Sequence, residues 1–188
     1  MRETISVKHL SKAYGDHDVL HDFSAEIPLC GVTVLRGASG IGKTTLFRLL
    51  LGLERPDAGE IRGMDGRKPA VVFQEDRLLP WATALENVSL ISGEETAILE
   101  LSRLGLGENM RQLPKELSGG MKRRVAIARA LAYGGDILFL DEPFTGLDED
   151  NKRAAARALA AAGVPILVIT HDDAEAELFG AYCELSVG

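Results

Sequence analysis

The stretch Gly37-Ala38-Ser39-Gly40-Ile41-Gly42-Lys43-Thr44 decides the fold. It spells G-x-x-x-x-G-K-[ST], follows the β-branched run Val32 to Arg36, which reads as a buried strand, and opens a helix-compatible segment from Thr44 to Leu51. Strand, glycine-rich loop and helix in that order make a phosphate-binding loop. The glycines let consecutive backbone N–H groups curl around phosphate oxygens with no Cβ in the way, and the helix N-terminus adds a favourable dipole. Lys43 then reaches the β- and γ-phosphates of a nucleotide, and the Thr44 hydroxyl ligates magnesium.

Around this loop the composition is that of an ordinary globular chain: 188 residues, 46% hydrophobic, 26% charged and 5% aromatic. At that size the folded chain buries roughly 70% of the surface its unfolded form exposes, so a core forms without disulfides or metal. Cys30 and Cys183 accordingly have no structural duty, and their lack of CxxC or Cys/His context fits a reducing compartment. The net charge of −7 carries no basic tail or block of like charge, which argues against nucleic acid as a partner. The opening Met1-Arg2-Glu3-Thr4-Ile5-Ser6-Val7-Lys8 lacks the apolar core of a secretory signal, and Gly163 and Pro165 break the charge-free run Ala158 to Thr170. Any membrane span must come from another chain.

Further strands are expected at Ile5 to Leu10, which alternates, and at Ala70 to Phe73, Ile137 to Leu140 and Ile166 to Thr170, whose continuous apolar character suits a parallel sheet covered on both faces. From Leu78 to Leu104 the spacing of Leu85, Val88, Leu90, Ile98, Leu101 and Leu104 is helical, as is Met121 to Ala132. A helical insert therefore interrupts an α/β core.

Ile137-Leu138-Phe139-Leu140-Asp141-Glu142 supplies a second part of the site. An apolar strand ending in a carboxylate places the acid at the strand's C-terminal edge, where α/β sheets bind ligands. Asp141 is placed to hold magnesium through water, and Glu142 to polarise the water that attacks phosphorus.

With these residues in place, the sequence resembles the ATP-binding cassette (ABC) ATPases over nearly its whole length. Leu117-Ser118-Gly119-Gly120-Met121 is similar to the family's signature loop, Gln74 to its Q-loop, Glu142-Pro143 followed by Gly146-Leu147-Asp148 to its D-loop, and Thr170-His171-Asp172 to its switch histidine. Tyr14 matches the aromatic that stacks on adenine. Several of these residues also have plain structural readings. Ser118 reads as the N-cap of a helix, Asp148 as the N-cap of a helix from Glu149 to Ala162, and Trp81 either as core of the helical insert or as part of an exposed docking patch with Leu78 and Leu79.

The resemblance implies an α/β fold: a P-loop NTPase cassette with a RecA-like core, an N-terminal antiparallel β subdomain and a small helical subdomain. It implies one domain over 1–188, with the core at 1–74 and 133–188 and the helical part at about 75–132. It implies ATP and Mg2+ as ligands. ATP contacts fall on Tyr14, Gly37, Ala38, Ser39, Gly40, Ile41, Gly42, Lys43, Thr44 and Thr45, metal contacts on Thr44, Gln74 and Asp141, and catalysis on Glu142, His171, Lys43 and Gln74. Ser118, Gly119 and Gly120 act in trans on a second cassette, and Asp148 lies at the dimer contact.

Hydrolysis then drives a separate integral-membrane permease, in the manner of importers for nitrate, sulfonates, taurine or thiamine precursors, with an extracytoplasmic solute-binding protein as a further partner. The cassette is expected in the cytoplasm, peripheral on the inner face of the membrane. The segment from Glu75 to Val88 resembles the one that receives a permease helix. Met121 departs from the family's usual Gln, the insert between Gln74 and Ser118 is short for the family, and the few residues after His171 predict no C-terminal regulatory domain. The competing readings are a soluble ABC-type ATPase uncoupled from transport, and a P-loop small-molecule kinase, which the signature, D-loop and His171 oppose.

Overall fold

The strands and helices divide the apolar residues between two faces of one parallel sheet. A computed structural model describes residues 3–187; Met1, Arg2 and Gly188, which the one-domain expectation and the reading of the opening stretch include, lie outside the described residues. The strands are β1 (Thr4–Tyr14), β2 (His17–Pro28), β3 (Val32–Arg36), β4 (Ala58–Arg62), β5 (Pro69–Val72), β6 (Ile137–Asp141), β7 (Ile166–Ile169) and β8 (Tyr182–Ser186). The helices are α1 (Lys43–Leu50), α2 (Ala84–Ser92), α3 (Glu94–Arg103), α4 (Gly119–Tyr133), α5 (Glu149–Ala160) and α6 (Asp173–Glu177).

Parallel pairing joins five strands in the order β5-β6-β7-β3-β8, and antiparallel pairing joins β2-β1-β4 into a second sheet. Alternation along β6 shows the division: Leu138 and Leu140 point into a cluster with Val125, Ile127 and Leu159, whereas Ile137 and Phe139 point into one with Phe47, Leu46, Ile5 and Ile27. The first cluster joins the sheet to α2, α3, α4 and α5. The second joins it to α1 and the antiparallel sheet.

Three elements follow no run that the sequence pattern picks out. In β2 most side chains are exposed or half-buried and the pairing with β1 slips at three places, so period-2 alternation is broken. In β4 and β8 no side chain is fully buried, as suits edges of their sheets. The helical reading of 78–104 is shortened, because the chain stays irregular to Thr83. It then splits at Gly93, which caps the end of α2 and the start of α3 with φ 82°. The helix expected to run to Ala162 ends at Ala160. Both cysteines are exposed and free. Among the described residues no helix is long and apolar enough to cross a membrane.

Phe139 is fully buried at the centre of β6, with its ring edge-on to Phe47 at 5.3 Å between centroids. Phe139→Ala leaves a cavity under the loop-bearing helix and should lower unfolding free energy by about 3–5 kcal/mol. Urea titration should show this as a lower midpoint with an unchanged slope.

Candidate functional site

The loop between β3 and α1 is shaped by what its neighbours leave open. Gly42 caps α1 at φ 104°, and a Cβ there would lie 2.8 Å from the Val19 carbonyl oxygen and 3.0 Å from the Leu20 side chain. Only glycine fits both the angle and the space. No side chain caps α1, so its first N–H groups remain free for an anion. Lys43 is buried, and its Nζ donates to the carbonyls of Gly37 and Ala38, both at 2.8 Å, which folds the ammonium over the loop. Burial holds the Lys43 pKa below the usual lysine value, with the carboxylates of Glu142 and Asp141 opposing that shift. A phosphate beside it would supply the missing counter-charge.

Asp141 ends β6 with a carboxylate that accepts from the Thr44 hydroxyl at 3.1 Å. Burial pushes the Asp141 pKa up, and the Thr44 hydrogen bond pulls against it. An ionised carboxylate so placed is under-compensated and would gain from a cation. Hydroxyl, carboxylate and the nearby Gln74 amide are hard oxygen donors at the edge of one cleft, a donor set that suits Mg2+ completed by water and phosphate.

Glu142 follows with φ 47°, a left-handed backbone that costs an L residue on the order of 1–2 kcal/mol. It is held there by its N–H donating to the Ile169 carbonyl at 2.9 Å and by its own carbonyl accepting from Arg123 at 2.5 Å. The turn aims the side chain across the cleft, where Oε1 lies 3.2 Å from His171 Nε2. The cleft has a volume of about 350 Å³, and Gly42, Lys43, Thr44, Gln74, Asp141, Glu142 and His171 line it.

The arginines that organise this region were not singled out by motif. Arg123 on α4 is 2% exposed and donates to the Phe73 carbonyl at 2.6 Å, Asp76 Oδ1 at 3.2 Å, the Asp141 carbonyl at 3.0 Å and the Glu142 carbonyl. Two turns on, Arg129 donates to the carbonyls of Asp76 at 2.7 Å and Arg77 at 2.8 Å. Together they fasten the segment after Gln74 to the end of β6. The available signal was the run Lys122-Arg123-Arg124 at the start of a helix whose other face is apolar.

Other expected site residues lie outside the cleft lining. Ser118 caps α4, its hydroxyl accepting from Met121 N at 3.2 Å, and it is exposed together with Gly119. Gly120 packs on the loop before α5: a Cβ there would lie 2.7 Å from the Gly146 carbonyl. Asp148 caps α5, with Oδ1 accepting from Asn151 N at 2.9 Å, a bond that lowers its pKa. Tyr14 stands half-exposed at the end of β1, its phenol hydrogen-bonded to Glu54. Trp81 is 75% exposed, so it does not fill the helical core.

A parallel sheet in which β3 runs into a phosphate-binding loop, β6 ends in a carboxylate pair and β7, between them, is followed by a histidine defines a P-loop nucleotide-hydrolysing cassette. A family model described as "ABC transporter" matches residues 20–145. The aliphatic sulfonates import ATP-binding protein SsuB 3 of Paraburkholderia xenovorans (strain LB400) is 43% identical over 182 residues, covering 92% of this chain and 72% of its own length. The SsuB protein of Rhodopseudomonas palustris (strain ATCC BAA-98 / CGA009) is 40% identical over 187 residues, covering 92% of this chain and 66% of its own length. Among solved structures, the ATP-binding cassette MJ0796, a dimer in a post-hydrolysis state bound to ADP and Pi, superposes with a TM-score of 0.84 at 30% identity, covering 97% of this chain and 96% of that one. The chain belongs to the ABC transporter family, as one of its ATP-hydrolysing cassettes.

Replacing Arg123 by Met strands buried carbonyls and Asp76 without a donor and should lower stability by about 3–5 kcal/mol. Arg123→Lys should recover little of it, since a single ammonium cannot span both strand ends. Thermal unfolding of the two variants beside the parent checks this.

Proposed function

We propose that this chain powers an importer, hydrolysing MgATP at the interface of two cassettes and driving a separate permease in the membrane. The observation that carries the reading is the convergence of Lys43, Thr44, Gln74, Asp141, Glu142 and His171 on one cleft fronted by uncapped helix N–H groups.

In this cycle the loop from Gly37 to Thr45 cradles the phosphates and Lys43 turns from the Gly37 and Ala38 carbonyls to the β- and γ-oxygens. Thr44, Asp141 and Gln74 would hold Mg2+, which would supply charge neutralisation at the phosphates. Glu142 orients the attacking water and takes its proton, while His171 donates to the γ-phosphate. Tyr14 offers its ring to adenine, steadied by Glu54.

The cleft is open on one side, and Ser118-Gly119-Gly120 at the start of α4, with Ser118 and Gly119 exposed, lies outside it. A second copy placed head to tail would bring its own signature onto this nucleotide, with Asp148 at the contact. The MJ0796 cassette, described as dimeric with ADP and Pi, supports that arrangement. Met121 sits beyond the phosphate-facing serine and glycines, where it would alter packing rather than the phosphate contacts.

Trp81 supports the permease assignment. It is carried on a segment that buried Asn87 clamps from beneath, accepting from Leu79 N at 2.7 Å and donating to the carbonyls of Leu79, Ala82 and Thr83. An exposed aromatic on a rigid loop suits the end of a permease helix. The relatives named for aliphatic sulfonate import favour an organosulfonate as cargo, delivered by an extracytoplasmic solute-binding protein, with this chain peripheral on the membrane's cytoplasmic face.

Glu142→Gln keeps the hydrogen-bonding shape but loses the base. It should bind MgATP as the parent does, accumulate as a dimer on gel filtration with MgATP, and lose multiple-turnover hydrolysis by roughly a hundredfold or more. Unimpaired turnover would falsify the assignment. Trp81→Ala should leave ATPase activity of the isolated chain intact while weakening its pull-down with the co-expressed permease.

A further inference from the structure

The segment that carries His171 is fastened by groups that the cleft itself does not contain. Thr170 is 2% exposed; its hydroxyl donates to Glu175 Oε2 at 2.7 Å and accepts from Asp172 N at 3.3 Å, so one side chain fixes the backbone on both sides of His171. The other carboxylate oxygen of Glu175 meets Lys152 Nζ at 2.9 Å. Glu175 and Lys152 are 13% and 17% exposed, so this pair is shielded far better than a surface ion pair. Lys152 stands in the first turns of α5, the helix that Asp148 caps. From the opposite side Arg36, the residue before Gly37, donates to the Thr170 carbonyl at 3.4 Å and pairs with Asp173 Oδ1 at 2.8 Å.

We infer that Glu175 is a positioning residue for ATP hydrolysis: locked by Lys152, it holds Thr170 so that His171 Nε2 stays within reach of Glu142 and the γ-phosphate. The inference rests on the reading of His171 and Glu142 given above. Its physical basis is the position of the groups. His171 is half-exposed, and among the described residues the ion pair its ring makes is with Glu142, so its reach depends on the backbone that Thr170 pins. A shift of about 1 Å in a reacting group is enough to cost a large factor in rate. Glu175 does not line the cleft. It acts through Thr170, and it links the histidine's loop to the helix that begins at Asp148.

The test uses the full chain in single-turnover assays with radiolabelled ATP, with ATP affinity and thermal midpoint measured alongside. Glu175→Gln and Thr170→Val should each slow hydrolysis by about tenfold or more, with ATP affinity changed by less than about twofold and the thermal midpoint close to the parent's. Thr170→Ser, which keeps the hydroxyl, should restore most of the rate that Thr170→Val loses. In a His171→Ala background Glu175→Gln should cost nothing further, because the group it positions is gone. The inference is overturned if Glu175→Gln hydrolyses at the parental rate, if it slows His171→Ala as much as it slows the parent, or if rate, affinity and thermal midpoint fall together. A His171→Ala chain with full activity would bring down the reading of the histidine itself. Loss of rate in His171→Ala beside an unaffected Glu175→Gln strikes Glu175 alone.

Discussion

The site depends on the Arg123 guanidinium. Five strands of a parallel sheet end in carbonyls that no further strand can satisfy, and at the ends of β5 and β6 those carbonyls belong to Phe73, Asp141 and Glu142. A planar cation inserted between them answers them together, which an ammonium could not do. Because Arg123 takes the Glu142 carbonyl, the left-handed turn at Glu142 is held and its carboxylate is aimed across the cleft. Because it also takes Phe73 and Asp76, the segment beginning at Gln74 leaves the sheet in a fixed direction.

That clamp explains how two differently built halves share one site. The parallel sheet and α1 contribute Lys43, Thr44, Asp141 and Glu142 from rigid elements whose side chains pack on both faces of the sheet. Gln74, the residue before the helical insert, lines the cleft, and no described residue of the insert itself does. Yet α4 carries Ser118 at one end and Arg123 and Arg129 further along, so the exposed signature loop and the Q-loop segment are fixed to the same rod. A displacement of α4 would therefore act on both, and through Arg123 on the end of β6.

Legibility in the sequence followed the chemistry. The phosphate loop, the carboxylates ending β6 and the histidine beyond β7 were readable because backbone approach to phosphate and placement at a strand's C-terminal edge tolerate few residue types. The buried strands were readable for a similar reason, since continuous apolar runs such as Ile166 to Ile169 have one packing solution. By contrast β2, β4 and β8 lie at edges or bulges, half in water, where composition is weakly constrained. The arginines of α4 were hidden for another reason: a buried Arg and a solvated one look alike in sequence, and only the fold says which carbonyls lack donors. Trp81 was ambiguous on the same ground, since an aromatic near a helix start suits core or interface until its exposure is known.

One consequence of the geometry reaches beyond the single chain. The cleft holds a burial-depressed ammonium in Lys43 and a burial-raised carboxyl in Asp141, two groups that each lack part of their counter-charge. A phosphate beside Lys43 would answer the first and a cation beside Asp141 the second, so MgATP bound as proposed would relieve a penalty already present in the fold. At the start of α4, where Ser118 and Gly119 are exposed, the side-chain cap is the Ser118 hydroxyl, which accepts from Met121 N–H. Under the proposed head-to-tail pairing, a phosphate held by Lys43 and the start of α1 in one copy would also meet the start of α4 in the other. In that pairing the affinity of the two copies for each other would depend on whether the phosphate is present, the physical condition for a hydrolysis-timed clamp.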